Sequence, residues 1–164
     1  MSIRPLCVEP HQVLRQAARP VTDFTDDLRR LVRDLIDTMQ AHDGVGLAAP
    51  QIGCCVQVFV ANPSRESGKE LVIINPVLEA PAGQTSVVEG CLSIPNIWDR
   101  VRRAQRVCVR GWDPRGTPLA IEADGLLAIV CQHEADHLQG RLFIDRLSWL
   151  RRRRLASRPV AVRS

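Results

Sequence analysis

Residues 124–140 read DGLLAIVCQHEADHLQG, a stretch that predicts a helix and contains a His-Glu-x-x-His motif. On a helix, His133 and His137 lie one turn apart on the same face, so their imidazoles can converge on one metal ion. Glu134 projects beside them and can reach a metal-bound water without being a ligand. The apolar residues that precede the motif on the same side are expected to direct the imidazoles into the core: Leu126, Ile129 and Val130.

A site of this kind needs a third protein ligand. Some zinc peptidases use a Glu further down the chain, and others use the last His of an HExxHxxGxxH motif. This chain has no Glu after Glu134, and Phe143 stands at the position of that last His. Both peptidase arrangements are therefore excluded, and the third ligand must come from upstream of the motif.

Cys91 is the best upstream candidate among the six cysteines. It lies in the segment EGCLSIP, residues 89–95, where Gly90 is expected to allow unusual backbone angles beside it. Cys131 lies about 200° around the helix from His133 and should face away from the site. Like Cys131, the cysteines in the strand and turn patterns are expected to be small apolar residues: Cys54, Cys55 and Cys108.

The composition indicates one domain with a packed core. The 164 residues are 45% hydrophobic and 24% charged, and no apolar run approaches the ~20 residues that a membrane span needs. The N-terminus lacks the apolar segment of a secretory signal, and the cysteines have no framework spacing. We therefore expect reduced thiols, a cytoplasmic location and no membrane partner.

Positive charge is concentrated at the C-terminus. The net charge is +4, and residues 146–164 hold seven arginines and no acidic residue, which leaves −3 on residues 1–145. We expect one domain over residues 1–150, followed by a basic tail over residues 151–164. The tail could be a solvated helix end, or it could dock on ribosomal RNA, because Arg suits phosphate groups.

The order of predicted elements is a helix, several strands, and further helices. An amphipathic helix is expected within residues 24–44, with Thr25 as its N-cap and Gly44 as its end. Pro76 should interrupt one of the strands. No βαβ alternation occurs, so the sequence predicts an α+β fold with antiparallel sheets. Strands are predicted at 55–62, 70–80 and 86–94, a hairpin at 106–123, and a third helix at 145–156.

Three segments together resemble the signature motifs of one enzyme family. GVGLAAPQIG at 44–53, EGCLSIP at 89–95 and QHEADHLQG at 132–140 are similar, in order and separation, to the three motifs of peptide deformylases. The resemblance runs from the N-terminus to about residue 150, and the helical C-terminus is similar to the type common in Gram-negative bacteria. It implies antiparallel sheets around a central HExxH helix. It also implies hydrolysis of the formyl group from N-formylmethionine on nascent polypeptides.

The resemblance also implies a role for each matching residue. Glu134 corresponds to the catalytic acid–base, Gln51 to the side chain that polarises the formyl oxygen, and Leu92 to a backbone N–H donor. The implied metal ligands are Cys91, His133 and His137. Two imidazoles and one thiolate suit Zn²⁺. The family resemblance favours one Fe²⁺ per chain as the active ion, for which Zn²⁺, Ni²⁺ or Co²⁺ can substitute.

Substrate contacts are expected on both sides of the metal site. The glycines of residues 44–46 would let a peptide backbone approach closely and pair in β fashion, which assigns Gly46 to substrate binding. Gly90, beside Cys91, is assigned to the same role. An apolar slot for the methionine side chain is expected from Val45, Leu126 and Ile129. Trp98 departs from the family, since some members carry an Arg near the substrate there.

Two other classes of function compete with the deformylase. One is a non-catalytic, metal-stabilised protein that binds ribosomes or RNA through the arginine tail, but such a site would need neither Glu134 nor Gln51. The other is a metallopeptidase that cleaves internal bonds, against which the missing downstream ligand argues. We expect a monomeric enzyme whose partners are formylated nascent chains and, through its tail, the ribosome.

Overall fold

The protein is described from a computed structural model that covers residues 2–156. Within these residues the chain forms three α-helices: α1 (Asp26–Ala41), α2 (Gly125–Leu138) and α3 (Trp149–Ala156). Seven strands accompany them: β1 (Gly46–Ala48), β2 (Val58–Ala61), β3 (Leu71–Ala82), β4 (Thr85–Cys91), β5 (Ile94–Arg103), β6 (Arg106–Trp112) and β7 (Pro118–Asp124). Short 3-10 helices lie at Gln12–Arg15, Ala49–Ile52 and Phe143–Arg146.

The strands form two antiparallel sheets. A five-stranded sheet has the order β1-β2-β3-β6-β7, and β4 pairs with β5 in a separate hairpin. All of these pairings are antiparallel, which confirms the predicted α+β class. Because β4 and β5 leave the large sheet between β3 and β6, the hairpin is free to present Cys91 toward α2.

Helix α2 packs against the large sheet through its small and apolar residues. Ala128, Val130 and Cys131 are buried in one cluster with Phe59 and Ile73 of the sheet. Contacts of α2 extend to β1, β2, β6 and β7. The HExxH helix therefore packs on the large sheet through buried residues, and Cys131 belongs to the core as expected.

Helix α1 packs on the large sheet through a stripe of apolar residues. Its N-cap is Thr25, whose hydroxyl accepts from Leu28 N. Met39 and Leu35 are buried against Val58 and Ile74 of the sheet. The predicted end of the helix at Gly44 is wrong, because α1 ends at Ala41 and the chain turns at Asp43, which has φ 52°. Asp tolerates this left-handed conformation through its short polar side chain.

Two further expectations are corrected by the sheet and the C-terminus. Pro76 does not interrupt its strand, since β3 continues through it with a register shift between Ile74 and Val77. At such a bulge a residue is left out of the strand pairing, so the missing N–H of proline costs no hydrogen bond of the sheet. The predicted third helix, residues 145–156, is divided into the 3-10 helix Phe143–Arg146 and α3.

A third apolar cluster packs against the β4–β5 hairpin. Leu14, Ile94 and Phe143 are buried in it, and the partly buried Leu155 of α3 packs against it. In the part of the chain that the structure describes, no helix is long and apolar enough to cross a membrane.

Candidate metal centre and active site

Cys91, His133 and His137 come together from two elements. Cys91 ends β4, and the two histidines lie on neighbouring turns of α2, as the motif spacing predicts. Cys91 Sγ is 3.2 Å from His137 Nε2, and one ligand atom from each of the three residues lies within 4.8 Å of the others. Among the described residues, these three are the group of potential ligand side chains that lie close enough together to hold one metal ion.

The donor set fits a metal ion on chemical grounds. A thiolate and two imidazoles match the ligands of transition metals such as iron and zinc. Three protein ligands leave room for a water or a substrate atom, which is typical of catalytic rather than structural sites. Burial and the neighbouring His133 lower the pKa of His137, which favours the neutral imidazole that a metal requires.

Glu134 is buried beside the three residues that could hold a metal ion. Its Oε2 atom has no hydrogen-bond partner among the described residues, and a Cβ atom added at Gly46 would lie 2.4 Å from its Oε1. Burial raises the pKa of Glu134 to about 7, although His133 opposes this shift. A carboxyl group with one unpaired oxygen and such a pKa can exchange a proton near neutral pH.

Two charged residues that hold His133 in place were not predicted from the sequence. Glu89 Oε2 lies 2.8 Å from His133 Nδ1, and this contact leaves His133 Nε2 for the metal. Arg103 donates to both oxygens of Glu89 at 2.7 and 2.9 Å. Burial alone would raise the pKa of Glu89, but the hydrogen bonds from Arg103 and His133 outweigh it and lower this pKa to about 2.

The same chain of charges continues to the far end of α2. Arg103 also donates to Asp136 Oδ2 at 2.6 Å, and Arg146 Nε donates to the same atom at 3.0 Å. The pairing offsets the desolvation of Arg103, whose side chain is only 2% exposed. The alternation of β5 could have predicted that Arg103 is buried, because it falls on the same inward face as the buried Val101.

Gln51 reaches the site from the short helix Ala49–Ile52. Its Oε1 accepts from Ala48 N at 2.9 Å, which orients the amide. Its Nε2 points toward Cys91 Sγ at 3.5 Å and Ser93 Oγ at 3.2 Å. Leu92 lies in the turn between β4 and β5, directly after the cysteine, so its backbone is adjacent to the same region.

One cleft of about 630 Å³ is lined by Gln51, Cys91, His133 and Glu134. The remaining predicted site residues line the same cleft: Val45, Gly46, Gly90, Leu92, Leu126 and Ile129. Leu126 departs from its expected position facing the core, since it is 52% exposed at the start of α2. A separate cavity of about 420 Å³ lies along Gln132, Ala135 and Gln139 of α2, away from the ligand atoms.

Gly90 is required for a different reason from the expected one. Its backbone does not adopt a positive φ. Instead, it faces Trp98 across the hairpin, and an added Cβ atom would lie 2.4 Å from Trp98 Nε1. The glycine therefore allows close approach of an indole ring to the strand that carries Cys91.

The other side of the cleft is bounded by a strand that, among the described residues, has a partner strand on one side only. β1 is the outermost strand of the large sheet, and it pairs on one side with β2 through Gly46 and Ala61. Edge strands can accept an added peptide strand. The expected backbone pairing with a peptide thus has a free edge beside Gly46.

Comparisons with known proteins agree with this arrangement. Residues 3–153 match the family model of polypeptide deformylases. A Legionella pneumophila peptide deformylase has 40% sequence identity and a TM-score of 0.89, with 96% of this chain and 100% of that chain covered. A Thermotoga maritima peptide deformylase has 38% identity and a TM-score of 0.85, with 90% and 99% covered. A Synechococcus elongatus peptide deformylase, solved in complex with actinonin, has 43% identity and a TM-score of 0.86, with 89% and 81% covered.

An α+β fold that brings a Cys-His-His donor set together beside a cleft with a buried Glu defines a metal-dependent hydrolase. Within that class, the chain belongs to the peptide deformylase family, because both the sequence match and the solved structures cover most of its length. The resemblance stated from the three motifs is confirmed. The non-catalytic ribosome- or RNA-binding alternative is not supported.

Proposed function

We propose that this deformylase removes the formyl group from the N-terminal formylmethionine of newly synthesised polypeptides. The observation that carries the proposal is the convergence of three features at one site. These are the ligand atoms of Cys91, His133 and His137, the unpaired carboxylate oxygen of Glu134, and the amide of Gln51. A structural metal site would need neither of the last two groups.

In this proposal, Cys91, His133 and His137 hold the metal. When bound, the ion supplies Lewis acidity that makes water nucleophilic near neutral pH. Glu134 accepts a proton from the attacking water as the water oxygen bonds to the formyl carbon. Glu134 then delivers that proton to the amine nitrogen as the carbon–nitrogen bond breaks, so that formate and a free N-terminus are released.

Gln51 and Leu92 stabilise the negative charge that develops on the formyl oxygen. The amide of Gln51 is already oriented by Ala48 and points its Nε2 group at Cys91, where the substrate carbonyl would bind. The backbone N–H of Leu92 is the second proposed donor. Each donor of this kind typically contributes ~3–4 kcal/mol to transition-state stabilisation.

The substrate is proposed to lie between β1 and the β4–β5 hairpin. Its backbone pairs with the free edge of β1 beside Gly46, and Gly90 forms the opposite wall. Val45, Leu126 and Ile129 form the methionine slot. All five residues line the same cleft, which supports this placement.

The proposed ion is Fe²⁺, with Ni²⁺ or Co²⁺ as substitutes that retain activity. A thiolate with two imidazoles binds iron, cobalt, nickel and zinc, so the donor set fits all four ions. The proposed location is the cytoplasm, where nascent chains are made. The six cysteines of the protein are unpaired, which suits a reducing compartment. The proposed active unit is a monomer, because one chain supplies every residue of the site.

We further propose that residues 1–150 form the catalytic domain and that residues 151–164 form a basic tail that binds the ribosome. In the described part of this tail, Arg152 and Arg153 are exposed, whereas Arg151 donates to Asp99 at 2.5 Å. Exposed arginines suit the phosphates of ribosomal RNA. Arg158 and Arg163 lie outside the described residues.

The experiment that tests the proposed function is a formate-release assay on formyl-Met-Ala-Ser. The metal content is measured on the same anaerobic preparation. We expect formate release in proportion to bound metal. Metal-loaded protein that releases no formate from any formylated peptide would contradict the proposal.

A further inference from the structure

Three arginines line an open cavity of about 300 Å³ that is separate from the active-site cleft. Arg102 and Arg103 are the last two residues of β5, and Arg146 ends the short helix Phe143–Arg146. None of the residues that line this cavity also lines the active-site cleft. The other lining residues are neutral, so the cavity presents cationic side chains without an acidic one: Pro81, Gly83, Gln84, Ala104 and Gln132.

Two of the three guanidinium groups are held in place by acidic residues that do not line the cavity. Arg103 is only 2% exposed and donates to both oxygens of Glu89 and to Asp136 Oδ2. Arg146 Nε donates to the same Asp136 atom at 3.0 Å. A guanidinium group has five N–H donors, and these contacts use three of those on Arg103. A buried and fixed side chain therefore keeps two donors for another acceptor.

Arg102 supplies a positive charge that these acidic residues do not balance. The ion-pair partners of the other two arginines are Glu89 and Asp136, which supply two negative charges against three positive ones. Arg102 is exposed, and among the described residues no hydrogen bond or ion pair engages its guanidinium group. An anion in the cavity would gain this charge without competing with an existing ion pair of Arg102.

The arrangement of the donors favours a phosphate group over a carboxylate. Arginine binds both kinds of oxyanion through paired N–H groups that lie in a fixed plane. A carboxylate has two oxygens in one plane, whereas a terminal phosphate offers three acceptor oxygens in different directions. The donors on β5 and Arg146 on a separate element can therefore each meet a different phosphate oxygen. The volume of the cavity is at the lower end of the range for small-ligand sites.

We propose that Arg102, Arg103 and Arg146 form a binding site for a phosphate group. The phosphate is either free, as inorganic phosphate or a monoester, or a phosphodiester of RNA. The site lies outside the cleft in which the formylated peptide is proposed to bind. This inference does not depend on the proposed function, and the arginines take no part in the proposed hydrolysis.

The test is a titration of zinc-loaded, 15N-labelled protein with inorganic phosphate at constant ionic strength, followed through the backbone amide resonances. The resonances of Gly83, Gln84 and Ala104 should shift along one saturating curve. Acetate at the same ionic strength should shift them far less. Arg102→Gln should weaken phosphate binding about 5- to 10-fold, the effect of losing one charge-assisted hydrogen bond. Because Arg102 is exposed, the spectrum of the free variant should otherwise match that of the wild type.

The matched control is Arg33→Gln, since Arg33 is exposed on α1 and lines neither this cavity nor the cleft. It should leave the phosphate affinity unchanged. A second titration uses a short single-stranded RNA. RNA that binds more tightly than phosphate, and that loses affinity in Arg102→Gln, would identify the ligand as a phosphodiester. RNA that binds no more tightly than inorganic phosphate would identify it as free phosphate or a monoester.

Three results would overturn the inference. One is the absence of shifts at Gly83, Gln84 and Ala104 with both ligands. Another is equal affinity of Arg102→Gln and Arg33→Gln, with shifts at Gly46 and Gly90, which would place the phosphate on the active-site metal instead. The third is acetate binding as tight as that of phosphate.

Discussion

At the scale of single residues, Glu134 should separate catalysis from metal binding. Glutamine has nearly the size of glutamate, so Glu134→Gln preserves the close approach of this side chain to Gly46. It removes the group that accepts and returns the proton. We expect kcat to fall on the order of 10²–10⁴-fold with the metal content unchanged. Formate release and metal analysis of the same sample measure both quantities, and full activity at full metal occupancy would refute the assigned role.

The cysteines provide a second test at this scale. Cys91→Ser replaces a proposed ligand, whereas Cys131 is buried in the core and Cys108 lies on β6, away from the cleft. After dialysis against a chelator, Cys91→Ser should retain far less metal than either Cys131→Ser or Cys108→Ser. Equal retention in all three variants would remove Cys91 from the proposed metal site.

The identity of the ion has consequences for the behaviour of the thiolate site in air. A ferrous ion with a thiolate ligand is oxidisable, so the proposed Fe²⁺ enzyme should lose activity in air and keep it under nitrogen. Protein reconstituted with Ni²⁺ or Co²⁺ should be active and stable in air. Activity is followed over time in matched aerobic and anaerobic samples. Fully active zinc protein that is indifferent to air would count against iron.

At the scale of secondary-structure elements, the end of α2 depends on a glycine for two reasons. Gly140 has φ 68°, and an added Cβ atom would lie 2.7 Å from the backbone C and O of Arg15. Gly116 has φ 81°, but its added Cβ atom would be 3.3 Å from the ring of Phe24. The two positions share the left-handed backbone and differ in what a methyl group would displace.

We therefore expect Gly140→Ala to destabilise the protein more than Gly116→Ala. The left-handed conformation alone costs about 1–2 kcal/mol for alanine, and only Gly140→Ala must also shift a backbone segment. For a chain of this size, each kcal/mol lowers Tm by about 2–4 °C. Thermal unfolding is compared at equal metal content, because bound metal itself raises Tm. Equal Tm values for the two variants would show that the contact with Arg15 relaxes without cost.

The sequence predicted best those features that depend on spacing within one element. The i, i+4 histidines, the N-cap Thr25 and the buried Cys131 all follow from helix geometry. Features that depend on the pairing of distant strands were not predicted. The contact of Gly90 with Trp98 and that of Glu89 with Arg103 both require the register of β4 and β5, which local patterns do not specify.

At the scale of the whole molecule, the order of strands was also beyond the sequence patterns. Neighbouring strands in sequence usually pair, but β3 pairs with β6 and leaves the β4–β5 hairpin as a separate sheet. The choice is made by burial, because β3 and β6 contribute Ile73, Val107 and Val109 to the core around α2. This arrangement frees the hairpin to present Cys91 opposite the histidines, so the topology itself assembles the site.

The C-terminal tail is proposed to bring the whole molecule to its substrate by binding the ribosome. Formylated N-termini emerge at the ribosome, so a tail that binds ribosomal RNA would raise the local concentration of substrate. Arg146 and Arg151 are engaged within the protein by Asp136 and Asp99, and Arg154 also has an interaction within the protein. The residues that remain for this role are Arg152, Arg153, Arg158 and Arg163, and Arg153 also lies over the ring of Trp149 at 5.2 Å.

Removing residues 157–164, combined with Arg152→Gln and Arg153→Gln, should therefore weaken co-sedimentation with ribosomes while α3 is retained. Binding of the full chain should fall steeply as salt rises, and the variant should show a shallower salt dependence because fewer phosphates are contacted. Hydrolysis of formyl-Met-Ala-Ser should stay at the wild-type rate, since neither Arg152 nor Arg153 lines the cleft and the family match ends at residue 153. Deletion of residues 151–164 serves as the comparison, because it also removes the contacts of Arg151 and Leu155 with the domain. Loss of tripeptide hydrolysis in that deletion alone would place α3 within the catalytic fold. Co-sedimentation that is equal for the full chain and both variants would leave the tail as a passive surface.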